Sequence, residues 1–221
     1  MGRLYDLVAF DVDGTLIGSE SQKVVWQLLN EFFSCDPKTN EQRYKAYLRR
    51  EITYAEWVDL DVQQWVDADA TRAQLAEVIT SKLYLMPGAR QAVDALQNIG
   101  YRLVVISGTL DLTLDLLFPD HPFDEVFTNK IWFDEEQRIA GWKATPYDME
   151  GKAEALLDIS KRMGIPQERT VYVGDNVNDL QVLEAAGLSI AYEPKHPSVE
   201  QAADHVVRED LRGILAYLGA Q

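Results

Sequence analysis

The chain has 221 residues, of which 47% are hydrophobic and 26% charged, enough for one core or for one core with a small insert. Its 36 acidic residues against 21 basic ones give a formal net charge of −15. A surface this acidic repels nucleic acid and anionic membranes, so neither is an expected partner, and any phosphate site must be made locally positive.

A single cysteine, Cys35, excludes an internal disulfide framework and fits a reducing compartment. In its helical setting it reads as a small buried apolar residue rather than a nucleophile. No basic region followed by an apolar run opens the chain, and Asp11 arrives too early for a signal peptide. Asp6 stands where a myristoylation signal needs Ser or Thr, and no apolar run is long enough to span a bilayer. The expectation is a cytoplasmic protein, monomer or homodimer.

Leu4–Phe10 is a short apolar run that stops at Asp11-Val12-Asp13-Gly14, the pattern of a buried strand ending in a polar turn. From about Ser19 to Leu85 helical spacing dominates (Val24, Leu28, Leu29, Phe32, Phe33), with breaks near Pro37, Ile52–Thr53 and Ala68–Thr71, so about four helices are predicted and no strand. Pro87-Gly88 ends that region, and a helix to Asn98 follows. Tyr101–Ile106 predicts a second buried strand ending at Ser107-Gly108, and a helix covers Leu110–Phe118. Glu125–Thr128 reads as a short strand, and Lys130–Phe133 with Arg138–Trp142 reads as a hairpin. Gly151–Met163 is a predicted helix, and Thr170–Val173 a third buried strand ending at Gly174-Asp175. A helix at Asp179–Ala186, strands at Leu188–Ala191 and Val206–Val207, and a helix at Arg208–Leu218 complete the pattern. Strands alternating with helices predict an α/β fold, a doubly wound parallel sheet with a helical insert. Ligands of such sheets bind beyond the carboxyl ends of the strands, where the polar clusters after Phe10, Ile106 and Val173 all fall.

In Asp11-Val12-Asp13-Gly14-Thr15, two carboxylates two residues apart leave a strand toward one site. One can attack phosphorus while the other handles the proton of the leaving alkoxide. Gly14 permits the turn, and Thr15 offers a hydroxyl and an amide to phosphate. A D-x-D-G-T match arises by chance in such a chain on the order of 1 time in 1,000. Ser107-Gly108-Thr109 supplies a hydroxyl and free amides, an anion site or equally an ordinary helix cap. Lys152 can bridge a nucleophile and a phosphate, although a surface lysine is the alternative reading. In Gly174-Asp175-Asn176-Val177-Asn178-Asp179, Asp175 is a candidate ligand, with Asp11, for magnesium, which takes oxygen ligands and keeps several waters. Asp179, one turn on, can orient the site, and Asn178 can bond phosphate.

These clusters, in this order, resemble the haloacid dehalogenase superfamily, and DVDGT, ISG, GKAEAL and GDNVNDL look like its phosphoserine phosphatase branch. The resemblance implies a Rossmann-like core at 1–17 and 87–221, a helical cap at 18–86, and a magnesium-dependent phosphatase that works through a phosphoaspartyl intermediate on a small phosphorylated metabolite. It makes Asp11 the nucleophile and Asp13 the general acid, then base. It assigns phosphate to Thr15, Ser107, Gly108, Lys152 and Asn178. The metal falls to Asp11, Asp175 and the Asp13 carbonyl. A phosphotransferase or mutase, or a phosphometabolite-binding protein without catalysis, would share much of this set, but binding alone does not need Asp13. Glu20 stands where that branch meets the substrate's amino group. Its carboxylate-binding arginine aligns with Asp61, and no basic residue lies in Tyr54–Trp65. Glu20, Asp59, Asp61, Trp57 and Trp65 are therefore either contacts for a cationic or neutral phosphomonoester or simply cap core and solvated acids.

Overall fold

The computed structural model describes residues 4–33 and 36–219, so Cys35 lies outside the described residues. In chain order the first half forms β1 (Leu7–Phe10), β2 (Ile17–Ser19), α1 (Val25–Phe32), α2 (Pro37–Leu48), α3 (Tyr54–Asp67), α4 (Arg72–Lys82), β3 (Leu83–Leu85), α5 (Ala89–Asn98) and β4 (Arg102–Leu110). The second half forms α6 (Asp111–Leu117), β5 (Glu125–Phe133), β6 (Ile139–Lys143), α7 (Lys152–Arg162), β7 (Thr170–Gly174), α8 (Leu180–Ala185), β8 (Leu188–Tyr192), α9 (Pro197–Ala202) and β9 (His205–Val207).

Seven strands make one sheet in the order β6-β5-β4-β1-β7-β8-β9, parallel except for β6 on its edge. β1 lies at its centre because its four residues are apolar on both faces. Val8 and Phe10 enter one apolar cluster with Val105 and Val173, while Leu7 and Ala9 enter another with Val104 and Tyr172. That is a strand's period of two in a sheet covered on both sides. α5 covers the first face with Ala92, Val93 and Leu96, and α7 and α8 cover the second with Leu156, Ile159, Val182 and Leu183. Phe10 pairs in register with Val105 and with Val173. The chain therefore leaves β1 at Asp11, passes Ser107 in β4, and leaves β7 toward Asp175, all at one edge of the sheet.

Helices α1 to α4 lie between β2 and β3. Thr53 with Glu56 and Thr71 with Gln74 form capping boxes that start α3 and α4. Asp36 caps α2 ahead of Pro37. Leu29, Val62, Trp65, Leu75 and Ile79 continue the apolar cluster of the first face. Trp26 Nε1 donates to the Gly108 carbonyl at 2.8 Å, which brings α1 over the carboxyl edge. Among the described residues no helix is long and apolar enough to cross a membrane.

Four local expectations are revised. Strand β4 runs on through Ser107-Gly108-Thr109 to Leu110, with a register shift against β5 between Ile106 and Leu110. The anion-binding candidates thus sit in an irregular strand end, a place where a bulge re-aims side chains. The stretch expected as a short strand plus half a hairpin is the single strand β5. β2 and β3 pair as a two-stranded antiparallel sheet at the two ends of the helical insert, three residues each and too short to show a period. The final segment folds into 3-10 turns at Leu211–Tyr217 with Gly213 inside them, rather than into an α-helix.

Candidate active site

At the carboxyl edge, a cavity of about 690 Å³ is lined by Asp11, Asp13, Ser107, Gly108, Asn178 and Lys195 on the sheet side, with Trp26, Tyr44, Tyr54, Trp57 and Asp61 from the inserted helices opposite. A second cavity of about 550 Å³ opens beside Asp13, Gly14 and Lys195 and holds the exposed Glu20. Of the two residues expected to meet the substrate's body, Asp61 is therefore in the main cavity and Glu20 in its neighbour.

Asp11 is buried, and Lys152 Nζ donates to its Oδ1 at 3.0 Å and to Asp179 Oδ1 at 2.7 Å. Burial alone would lower the Lys152 pKa, but Asp11 and Asp179 outweigh it and hold the ammonium charged. Burial pushes the Asp11 carboxyl up, and Lys152 and the Ser107 hydroxyl pull it back. Asp13 is pushed up to about 7, by burial first and then by the charge on Asp11. A carboxyl poised there can give and take a proton near neutrality.

Asp175 is buried and pushed up to about 8, by desolvation and then by Asp11. Thr15 donates to its Oδ1 at 3.2 Å, so the hydroxyl expected on phosphate is turned to Asp175 instead. Lys195 Nζ forms an ion pair with the buried Oδ2 at 2.7 Å, and among the described residues no other group bonds that oxygen. Gly14, at φ +98°, lies so close that a Cβ there would collide with Asp175 and Lys195.

Oxygens of Asp11, Asp175 and Asp179 lie within 4.8 Å of one another. Both oxygens of Asp179 are already taken: Oδ1 accepts from Lys152 and Tyr172, and Oδ2 from the amides of Asp175 and Asn176 at 3.0 and 3.1 Å. Asp179 therefore braces the loop and the lysine, and Asp11 and Asp175 remain as the pair open to a cation. The raised pKa values of Asp11, Asp13 and Asp175, and a buried Asp175 oxygen whose neighbour is the Lys195 ammonium, fit a hard divalent cation, which would relieve the repulsion among the carboxylates.

Asn178 reaches the same cavity, and its Nδ2 donates to Asp148 Oδ1 at 3.3 Å. Asp61 is buried and paired with Arg43, whose Nη2 also donates to Gln64 at 3.0 Å. That pairing neutralises Asp61 and holds the guanidinium outside the set of residues lining the cavity. Trp57 lines the cavity against Tyr44, with ring centroids 5.9 Å apart. Trp65 is fully buried core, with its Nε1 on Asn30, while Asp59 is exposed and bonds Trp142. Two residues of the site escaped the sequence reading, Lys195 and Asp148, whereas Arg43 was, with Arg49 and Arg50, a candidate to reach the site from a neighbouring helix. Lys195 and Asp148 sit in loops without a helical or strand period, and Arg43 was one of several charges on a polar helix.

The haloacid dehalogenase-like hydrolase family model matches residues 5–187. A phosphoserine phosphatase of Mycobacterium tuberculosis is 33% identical over 90% of this chain and 46% of its own length. One from Streptomyces coelicolor is 29% identical over 98% of this chain and 50% of its own length. The chain thus spans about half the length of these curated relatives, while a phosphoserine phosphatase of Idiomarina loihiensis, 28% identical, is matched over 92% of its length. Among solved structures, a substrate-bound phosphoserine phosphatase superposes with a TM-score of 0.75 at 24% identity, covering 97% of this chain and 98% of that one. At that identity the likeness carries the fold alone.

Proposed function

The chain belongs to the haloacid dehalogenase-like hydrolase family, and on that footing we propose that it is a magnesium-dependent phosphatase of a small phosphomonoester. The reading rests above all on the buried Asp11 carboxylate at the end of the central strand, 3.0 Å from the Lys152 ammonium and two residues before a proton-exchanging Asp13. Asp11 attacks phosphorus in line, and Asp13 gives its proton to the departing alkoxide. Asp13 then takes a proton from the water that attacks the phosphorus of the acyl phosphate on Asp11, breaking its P–O bond to Asp11 and releasing inorganic phosphate and the free carboxylate. Ser107, Gly108, Lys152 and Asn178 hold the phosphoryl oxygens, and residues 18–86 act as a cap over the core of 1–17 and 87–221, keeping bulk water out. Asp11, Asp175 and the Asp13 carbonyl would hold the magnesium, whose charge lets the anionic nucleophile and the phosphate approach each other.

Release of inorganic phosphate from an aryl phosphate in the presence of magnesium tests this reading, and no release under any divalent-metal condition would defeat it. Exhaustive chelation is expected to abolish that turnover and magnesium to restore it. Calcium should restore it poorly, because its looser coordination draws the attacking carboxylate out of line. Undiminished activity in chelator would remove the metal from the scheme.

The lining of the main cavity bears on the substrate's body. The residues lining the main cavity include two lysines and no arginine; Lys23 is paired with Glu31 at 2.6 Å, and Lys195 with Asp175. A substrate carboxylate would enter without a cation and face Asp61, and a buried unpaired charge is expensive. Phosphoethanolamine should therefore exceed phosphoserine in kcat/KM by about tenfold or more, the size of one unmet polar contact. The two differ only in the carboxylate, so a preference for phosphoserine would reverse the assignment and point to Arg43 exchanging Asp61 for substrate.

A further inference from the structure

The groups assigned above to phosphate converge on a side chain of the protein itself. Asp148 lies in the connection 144–151 between β6 and α7 and is turned into the main cavity. Its carboxylate rests against the Cα of Gly108 so closely that a Cβ on that glycine would strike Cγ and both carboxylate oxygens. Asn178 Nδ2 lies 3.3 Å from its Oδ1 and 3.4 Å from its carbonyl oxygen. The Tyr54 hydroxyl of α3, which accepts from Asn129 at 2.7 Å, helps to steady the ionised form of the same carboxylate. Burial raises the Asp148 pKa, Lys152 is the main charge that steadies its anionic form, and Asp11 opposes it. Gly108 and Asn178 thus both touch one internal anion, which lies in the field of the Lys152 ammonium.

We propose that Asp148 competes with substrate for the phosphate seat and so sets how tightly this chain holds phosphoanions. The inference rests on the reading of Gly108, Lys152 and Asn178 as phosphate ligands. A carboxylate offers two oxygens and one charge, whereas a phosphomonoester dianion offers three oxygens and two charges. Substrate therefore outbids Asp148 for Lys152 and Asn178, but binds only to the fraction of molecules in which the seat is vacant.

The connection is built to let the residue leave. It has no helix or strand of its own. At its start, the Thr145 amide donates to Asn129 Oδ1 at 2.8 Å, and the Tyr147 ring packs on Phe127 with centroids 5.7 Å apart. At its end, Gly151 takes φ +79° at the cap of α7. Met149, next to Asp148, also faces the cavity, so withdrawal of this strap widens the entrance on the side of Tyr54.

The test is calorimetric titration of the full chain, with magnesium, by inorganic phosphate, together with steady-state turnover of p-nitrophenyl phosphate. Asp148→Asn keeps the shape and removes the charge, and Asp148→Ala removes the side chain. Glu150→Gln is the control for charge on the same strap away from the cavity. Both Asp148 variants are expected to lower the phosphate Kd and the KM by about tenfold or more, as for a seat vacant about a tenth of the time in the parent protein. Glu150→Gln should leave both constants unchanged. Unchanged or weaker phosphate binding in both Asp148 variants would overturn the proposal. So would a loss confined to phosphoethanolamine, which would make Asp148 an ammonium ligand. Tighter phosphate binding with no turnover by any of these proteins would keep the inference and defeat the phosphatase reading. No phosphate binding by any of them would defeat both.

Discussion

Asp11→Asn should lower turnover by about 10³-fold or more, about 4 kcal/mol of barrier, while leaving the folded protein as stable as before or more so. The amide keeps the shape of the side chain but has no charge with which to attack phosphorus. The stability half of this prediction comes from the pKa. Burial raises the Asp11 carboxyl in the folded state, so its ionised form disfavours folding at any pH above the ordinary carboxylate range. An amide carries no such penalty, and Lys152 keeps Asp179 as its partner at 2.7 Å. Urea denaturation in chelator, run beside a rapid-quench assay for phosphate trapped on protein, checks both halves. A variant that still accumulates acid-stable phosphate on the chain would show that the nucleophile is another group. A variant that loses both activity and stability would mean that Asp11 is needed mainly to hold Lys152.

The elements that place these groups were legible where the physics is local and repetitive. Leu7–Phe10, Leu103–Ile106 and Val171–Val173 are continuous apolar runs, as a sheet buried on both faces requires, and each is followed by small or polar residues. The breaks between the inserted helices were legible through Pro37, Thr53 and Thr71, because caps are local chemistry. What remained hidden depends on partners distant in sequence. β2 and β3 exist only because each finds the other across 20–82, a helical stretch that contributes to neither strand. Helix α9 was missed although His196 and Pro197 mark its start, because six residues are too few to show a period. In the site, Asp11 and Asp175 announced themselves through spacing. Lys195 is a single lysine in a Pro-rich loop, and only the chain's path past β8 brings it to Asp175. Asp61 was read as either a substrate contact or a solvated acid because its partner Arg43 sits 18 residues earlier on another helix.

Lys152→Met should be the most damaging single change in the site, because it removes the only ammonium that Asp11 and Asp179 are shown to share. Methionine fills much the same volume without charge. It leaves two carboxylates facing each other in a place from which water is excluded, since Lys152 and Asp179 are both essentially unexposed. Removing one partner of a buried ion pair typically costs about 3–5 kcal/mol, because the remaining charge loses its compensation. A third to a half of a small domain's stability is of that order. The carboxylates answer by binding protons, so Asp11, already raised by burial, rises further once Lys152 is gone. The sign of the pH dependence follows. A carboxyl whose folded pKa lies above its unfolded value holds its proton in the folded state while the unfolded chain has lost it, so folding weakens as pH rises between the two values. The deficit of Lys152→Met relative to the parent protein should therefore be small near pH 4 and grow toward pH 8. Turnover should fall by about 10²-fold or more, because a protonated Asp11 does not attack and the phosphoryl oxygens lose their fixed cation. Added magnesium should recover part of the stability, by neutralising Asp11 and Asp175, but not the rate. Urea denaturation in chelator at pH 5 and pH 8 decides the matter. Equal deficits at the two values would show that Lys152 acts through packing alone, and no deficit at either would show that the two carboxylates do not share a dry site.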